Sequence, residues 1–200
     1  MASSPLALPP GPHSAYLFDL DGTVADSMPL HFVAWSQAIS EHGGTFPEPL
    51  FYQMGGIPLL RTVELLNERF GTAMDPATVV HRKESLYLEM LDQLQPVASV
   101  LAIIHECAGK IPFAIVSGSP RASIHSTLTK LNLLDYFPVI VGAEDYLQGK
   151  PNPEPFLKAA TLLGVPPKTC LVFEDAEAGI ASAQAAGMQY VRIPAGQHPQ

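Results

Sequence analysis

Residues 15–23 read AYLFDLDGT, and this stretch decides the fold. From Tyr16 to Leu20 it is apolar apart from Asp19, too short for a helix and too continuous for a strand with one wet face, and it breaks at Gly22. It therefore predicts a buried strand of a parallel sheet that delivers Asp19 and Asp21 to its carboxyl end. Four further runs have the same character: FAIVS from Phe113, PVIVG from Pro138, CLVFED from Cys170 and QYVRI from Gln189. Between them the spacing turns helical. Val97, Val100, Leu101 and Ile104 recur at i, i+3, i+4 and i+7; Ile124, Leu128 and Leu131 keep that period; and Phe156 to Leu163 follows Pro153 and Pro155. Alternating strands and helices predict an α/β domain, a doubly wound parallel sheet of Rossmann-like type.

The alternation fails between Met28 and Leu94, where only helical signals occur. Pro29 opens a helix that Gly43 and Gly44 end, Leu59 to Phe70 is stopped by Gly71, and Asp75-Pro76 starts a third. A βα connection usually takes roughly two to six residues, so an all-helical block here predicts a lid or substrate domain. The expected organisation is a tail over residues 1–14, a catalytic core over 15–27 and 95–200, and a small helical cap over 28–94.

Composition narrows the function classes. The chain has 200 residues, 47% of them hydrophobic and 15% charged, with a formal charge of −8. A chain of this size buries roughly 70% of its unfolded surface, so a packed globule is expected. The charge offers no footprint for nucleic acid or an anionic membrane, and no apolar run approaches the roughly 18 residues a membrane span needs. MASSPLALPPGPH lacks the basic flank of a secretory signal and reads as a frayed tail. Two distant cysteines, Cys107 and Cys170, suggest neither a disulfide framework nor a zinc site, which fits a reducing, cytoplasmic setting.

Polar residues recur where the strands are expected to end: Asp19 and Asp21, then Ser117, then Lys150, then Glu174 and Asp175. Each alone reads as a helix cap or a solvated charge. The carboxyl ends of a parallel sheet share one edge, however, and ligands bind there where the strand order switches, so the four groups should converge. Converging carboxylates repel by roughly 4 kcal/mol per pair at about 4 Å and an effective dielectric near 20, which calls for a hard divalent cation, Mg²⁺. The implied chemistry is phosphoryl transfer. Asp19 would attack phosphorus and form an aspartyl-phosphate, Asp21 would serve as acid and then base, and Lys150, Ser117 and the Gly118 amide would hold phosphoryl oxygens.

The segments FDLDGTVADS, VSGS, GKPNPEPF and FEDAEAGIASAQAAGM resemble, in order and separation, the four motifs of the haloacid dehalogenase (HAD) superfamily. The resemblance spans Tyr16 to Ile193, and the helical insertion is similar to the small cap of the branch containing β-phosphoglucomutase and sugar-phosphate phosphatases. It implies Asp19 as nucleophile, Asp21 as acid and base, Ser117 and Lys150 as phosphate ligands, and Mg²⁺ held by Asp19, the Asp21 carbonyl and Asp175, with Glu174 assisting directly or through water. In PLHFVAW, His31 reads either as a hinge histidine or as a group that orients Asp21 or contacts substrate, and Trp35 reads as packing or as a sugar platform. Asp26 and Ser27 cap the first cap helix, help close the cap, or both. Gly55 and Gly56 either shape a loop facing the site or form a plain turn. The loop MGGIPLLRTV carries Pro58 and Leu59 where the mutase has an arginine for a second phosphate, with Arg61 displaced by two residues. The expected activity is hydrolysis of small phosphate monoesters, as in fructose-1-phosphate and 6-phosphogluconate phosphatases, with a phosphosugar mutase as the alternative. A receiver-type phospho-acceptor fits poorly because its phosphorylated aspartate lies at the third strand, and dehalogenation needs no acid at Asp21.

Overall fold

Every residue of the first strand, β1 (Ala15–Phe18), is buried, as a strand packed on both faces requires. The computed structural model describes residues 6–194. β1 pairs in parallel with β2 (Phe113–Val116) on one side and β4 (Cys170–Glu174) on the other. β3 (Val139–Val141) and β5 (Gln189–Arg192) extend the two edges, giving the order β3-β2-β1-β4-β5. The chain thus winds outward from β1 in both directions, and the order switches beside the strand that leads into Asp19.

The pleat sends alternate residues of β1 to opposite cores. Tyr16 and Phe18 join Phe113, Phe137 and Phe173, with Phe18 and Phe173 stacked at 4.5 Å between centroids. This face is covered by α5 (Ala98–Cys107) and α6 (Arg121–Lys130) through Ile104, Ile124 and Leu128. Ala15 and Leu17 face the other core, where α7 (Glu154–Leu163) and α8 (Glu177–Ala185) supply Phe156, Ala159, Ala160 and Ala183. Small residues there let the helix axes approach the sheet closely.

Between β1 and α5 the chain forms four helices: α1 (Met28–Glu41), α2 (Glu48–Gln53), α3 (Leu59–Phe70) and α4 (Pro76–Glu89). They bury their own cluster, including Trp35, Ile39, Phe51, Val63, Leu66 and Tyr87. The two chain segments joining this helical cap to the sheet run side by side: Ala25 bridges Pro96, Asp26 N donates to the Gln95 carbonyl at 2.9 Å, and Val97 N to the Val24 carbonyl at 3.0 Å.

Three differences from the sequence reading matter. β1 ends at Phe18, leaving Asp19 to Asp21 in the loop above the sheet. α2 carries Pro49 and has only six residues, too few to display a 3.6-residue period. The N-terminal stretch is not frayed where it is described, because Leu6 and Leu8 pack on the aromatic core and Ser14 N donates to the Thr169 carbonyl at 2.8 Å. Residues 1–5 of the expected tail and 195–200 of the expected core lie outside the described residues.

Candidate active site

The strand ends converge. Lys150 Nζ donates to Asp19 Oδ1 at 2.6 Å, to Glu174 Oε2 at 2.7 Å and to the Val116 carbonyl at 3.0 Å. Residues delivered by the ends of β1, β2 and β4 are thus tied together by one ammonium from the loop before α7. Asp175 completes the cluster, since carboxylate oxygens of Asp19, Glu174 and Asp175 lie within 4.8 Å of one another. Thr23 Oγ1 donates to Asp175 Oδ1 at 3.0 Å and fixes it.

Two glycines make room for these carboxylates. A Cβ on Gly22, whose φ of +87° is in the left-handed region, would lie 2.4 Å from Asp175 Oδ2. On Gly179 it would lie 1.9 Å from Glu174 Oε2, so only glycine at the start of α8 lets that carboxylate reach Lys150.

One cation beside three carboxylates, Asp19 and Glu174 buried and Asp175 partly so, leaves surplus negative charge. Burial and then the neighbouring Glu174 raise the Asp19 carboxyl despite Lys150, and burial also raises Glu174. Burial followed by the charge of Asp19 pushes Asp175 up to about 6. Burial works against the Lys150 ammonium, but Asp19 and Glu174 override it and raise its pKa. Three hard oxygen donors with unbalanced charge, in a cradle that a single Cβ would fill, fit Mg²⁺.

The Asp21 side chain stands outside this group and is held by four donors. Ser27 Oγ donates to it at 2.7 Å, Ser119 Oγ at 2.8 Å and Ser117 Oγ at 3.4 Å, while His31 Nε2 lies 2.8 Å away. Burial alone would raise Asp21, but His31 and the hydroxyl bonds hold it well below the usual carboxylate range. Ser27 occupies the N-cap position of α1 yet makes no side-chain cap bond; its hydroxyl serves Asp21. His31 is buried, stacks on the Tyr87 ring at 4.1 Å, and leaves Nδ1 without a partner. Thr23, Ser27 and Ser119 were not singled out as site residues from the sequence, although Ser119 is the second serine of VSGS and Ser27 closes FDLDGTVADS.

Above these groups lies a cavity of about 680 Å³ roofed by the cap. Ser117, Gly118, Gly55, Gly56, His31 and Trp35 all line it. Gly56, at φ +85°, comes so close to the core that a Cβ there would sit 3.0 Å from Ala178, so the cap loop rests on the start of α8. Arg61 does not belong to the site. It is about half exposed on α3 and donates to Glu64 and Glu68, each at 3.0 Å. The cap wall instead presents Lys83 and Glu84, two α4 residues the sequence did not single out.

The model of the haloacid dehalogenase-like hydrolases matches residues 16–193. The chain belongs to this family. It is 32% identical over 182 residues to the fructose-1-phosphate phosphatase YqaB of Escherichia coli, covering 90% of this chain and 96% of that one. It is 33% identical over 183 residues to hexitol phosphatase A of Escherichia coli, covering 90% and 82%. The crystal structure of a β-phosphoglucomutase from Clostridium difficile superposes with a TM-score of 0.79 at 25% identity, over 89% of this chain and 83% of that one. The HAD chain thus shares the fold of a mutase while its sequence matches named phosphatases, so the fold alone does not separate the two activities.

Proposed function

We propose that this HAD hydrolase is a Mg²⁺-dependent phosphatase of small phosphate monoesters, sugar and polyol phosphates first. The observation that carries this reading is the Lys150 ammonium bridging Asp19 and Glu174 at 2.6 and 2.7 Å, with Asp175 beside them, at the floor of the cavity. The names of the relatives in the previous section support the substrate class.

Asp19 is the nucleophile. One of its carboxylate oxygens forms a bond to phosphorus while the ester P–O bond breaks, and the departing alkoxide takes a proton from Asp21. Asp21 is held ionised by its donors, and a phosphate dianion arriving beside it raises its pKa, because two like charges in one site favour the protonated form. After the alcohol leaves, Asp21 takes a proton from water, the water oxygen attacks phosphorus, and the P–O bond to Asp19 breaks to release phosphate. Lys150, Ser117 and the Gly118 amide hold the equatorial oxygens. Asp19, Asp175, the Asp21 carbonyl and Glu174 are the residues that would hold Mg²⁺, which when bound neutralises phosphoryl and carboxylate charge. In this reading residues 28–94 form the cap over a core of 15–27 and 95–200, and the partner is a small phosphate ester. Free Cys107 and Cys170 fit a cytoplasmic setting.

The test is phosphate release from hexose and hexitol phosphates. Mg²⁺ should support it, excess chelator should abolish it, and Asp19→Asn should lower kcat by roughly a thousandfold or more while the folded CD spectrum is kept. Undiminished turnover in a folded Asp19→Asn protein would overturn the mechanism.

A further inference from the structure

The far wall of the cavity is mostly apolar, with Trp35, Phe46, Phe51 and Ile57 among its residues. Apart from histidines, its described lining carries two cations, Lys83 and Lys150. Lys150 belongs to the reaction centre. Lys83 is a lysine buried to 2% exposure in the cap. Its Nζ donates to Glu84 Oε1 at 2.7 Å and lies 5.8 and 5.5 Å from the ring centroids of Trp35 and Tyr87. Tyr87 also carries His31 on its ring, which connects this pair to Asp21 through two packed side chains. The other oxygen of Glu84, Oε2, accepts from Ser123 Oγ on α6, so the carboxylate is fixed from both the cap and the core.

A buried lysine alone would form a receptor for a second anionic group on the substrate. Beside Glu84 it does not, because the pair is neutral and the carboxylate faces the same cavity. An ammonium has three donors and Glu84 takes one; an ionised carboxylate has about four acceptor positions, of which Lys83 and Ser123 use two. The remaining capacity is one of donors and acceptors side by side. A hydroxyl satisfies both kinds, since it donates and accepts; a carboxylate or phosphate satisfies only Lys83 and is repelled by Glu84.

We infer that Glu84 is a specificity-determining residue that restricts the leaving group to neutral, hydroxyl-bearing compounds and rejects esters carrying a second negative charge at the far end. This deepens the phosphatase reading and rests on it. Like charges about 6–12 Å apart at an effective dielectric near 20 discriminate by roughly ten- to hundredfold.

The experiment compares glucitol 6-phosphate with 6-phosphogluconate, which share one carbon chain and one phosphate position and differ in a terminal CH₂OH against a carboxylate. The expected result is a kcat/KM at least roughly tenfold higher for the neutral ester, falling to near parity or inverting in Glu84→Gln. Glutamine keeps the size and an acceptor for Lys83, so the cap should fold. Parity, or a preference for 6-phosphogluconate, in the wild-type chain would overturn the inference, and this arm decides alone if the variant does not fold. A wild-type preference that persists unchanged in a folded Glu84→Gln protein would also overturn it. Calorimetric binding of the same two esters to Asp19→Asn separates the two readings. A binding preference for the neutral ester without turnover of any ester in the wild type defeats the phosphatase and leaves the selectivity standing; turnover of both esters with equal binding does the reverse.

Discussion

At the scale of single residues, the site depends as much on atoms that are missing as on those present. Gly22 combines a left-handed backbone with contact against Asp175, so Gly22→Ala should strain the loop by about 1–2 kcal/mol and push the carboxylate aside. The expected outcome is a Mg²⁺ requirement raised at least roughly tenfold with lower kcat, measured by metal titration of phosphate release. Asp175 itself gives a pH signature. Its carboxyl is pushed from 3.8 up to about 6 by burial and then by Asp19. Between those values the metal-free folded chain keeps a proton that the unfolded chain has released, so this group's contribution to stability falls as pH rises through the window. Melting in chelator should therefore lose ground relative to Asp175→Asn between about pH 4 and pH 6, and saturating Mg²⁺ should remove the loss. A wild-type minus variant difference that stays flat in chelator would show that Asp175 is not the strained carboxyl.

At the scale of elements, the seam between α4 and α6 joins cap to core. Tyr87 Oη and Thr127 Oγ1 lie 2.8 Å apart in a buried setting, next to the Glu84 and Ser123 contact. Tyr87→Phe removes only the hydroxyl and should cost about 0.5–1.5 kcal/mol in a melting experiment with little change in kcat, because the ring still supports His31. Tyr87→Leu also removes that stack and should lower kcat by up to roughly tenfold. A larger kcat loss in Tyr87→Phe than in Tyr87→Leu would mean that the hydroxyl, not the ring, supports the site. The same elements explain what was legible in the sequence. α3 runs Leu59–Phe70 as expected, because Pro58 and Gly71 punctuate it and Gly71 adopts φ +65°. Asp19 and Asp175 were legible because a buried parallel strand has only one place to end, whereas Lys150, which stands in the loop between β3 and α7, was legible through the GKPNPEPF segment. Lys83 and Glu84 were not, since adjacent charges on a helix usually form a solvated face. The signal was phase: Val79, Lys83, Leu86 and Tyr87 are the buried residues of α4 and share one stripe. Phase also explains Arg61, for two residues turn a helix by about 200°, and the side chain that a loop reading brings near the site points instead at Glu64 and Glu68.

At the scale of the whole molecule, hydrolysis and isomerisation of a phosphosugar begin with the same aspartyl-phosphate, so the residues at the sheet edge do not decide between them. The cap does. A mutase must grip the second phosphate of a bisphosphate intermediate, let it turn over, and keep water from the phosphoenzyme meanwhile. Such a grip needs a cation left free for it. Within the described cavity lining, histidines aside, Lys150 is committed to Asp19 and Glu174, and Lys83 to Glu84. Arg61 lies outside that lining and pairs with surface carboxylates, where such bonds are worth little and turn no substrate. A charge-assisted contact contributes about 1.5–3 kcal/mol, so a missing grip shifts partitioning of the phosphoenzyme toward water by roughly ten- to hundredfold. The chain should therefore release phosphate from β-glucose 1-phosphate faster than it forms glucose 6-phosphate, with or without a glucose bisphosphate primer. Arg61→Ala should leave both rates within about twofold, as expected of a solvated surface ion pair. Following phosphate and glucose 6-phosphate in one assay checks both statements: isomer formation outrunning phosphate release, and abolished by Arg61→Ala, would require the cap to swing α3 over the site during turnover and would make the chain a mutase.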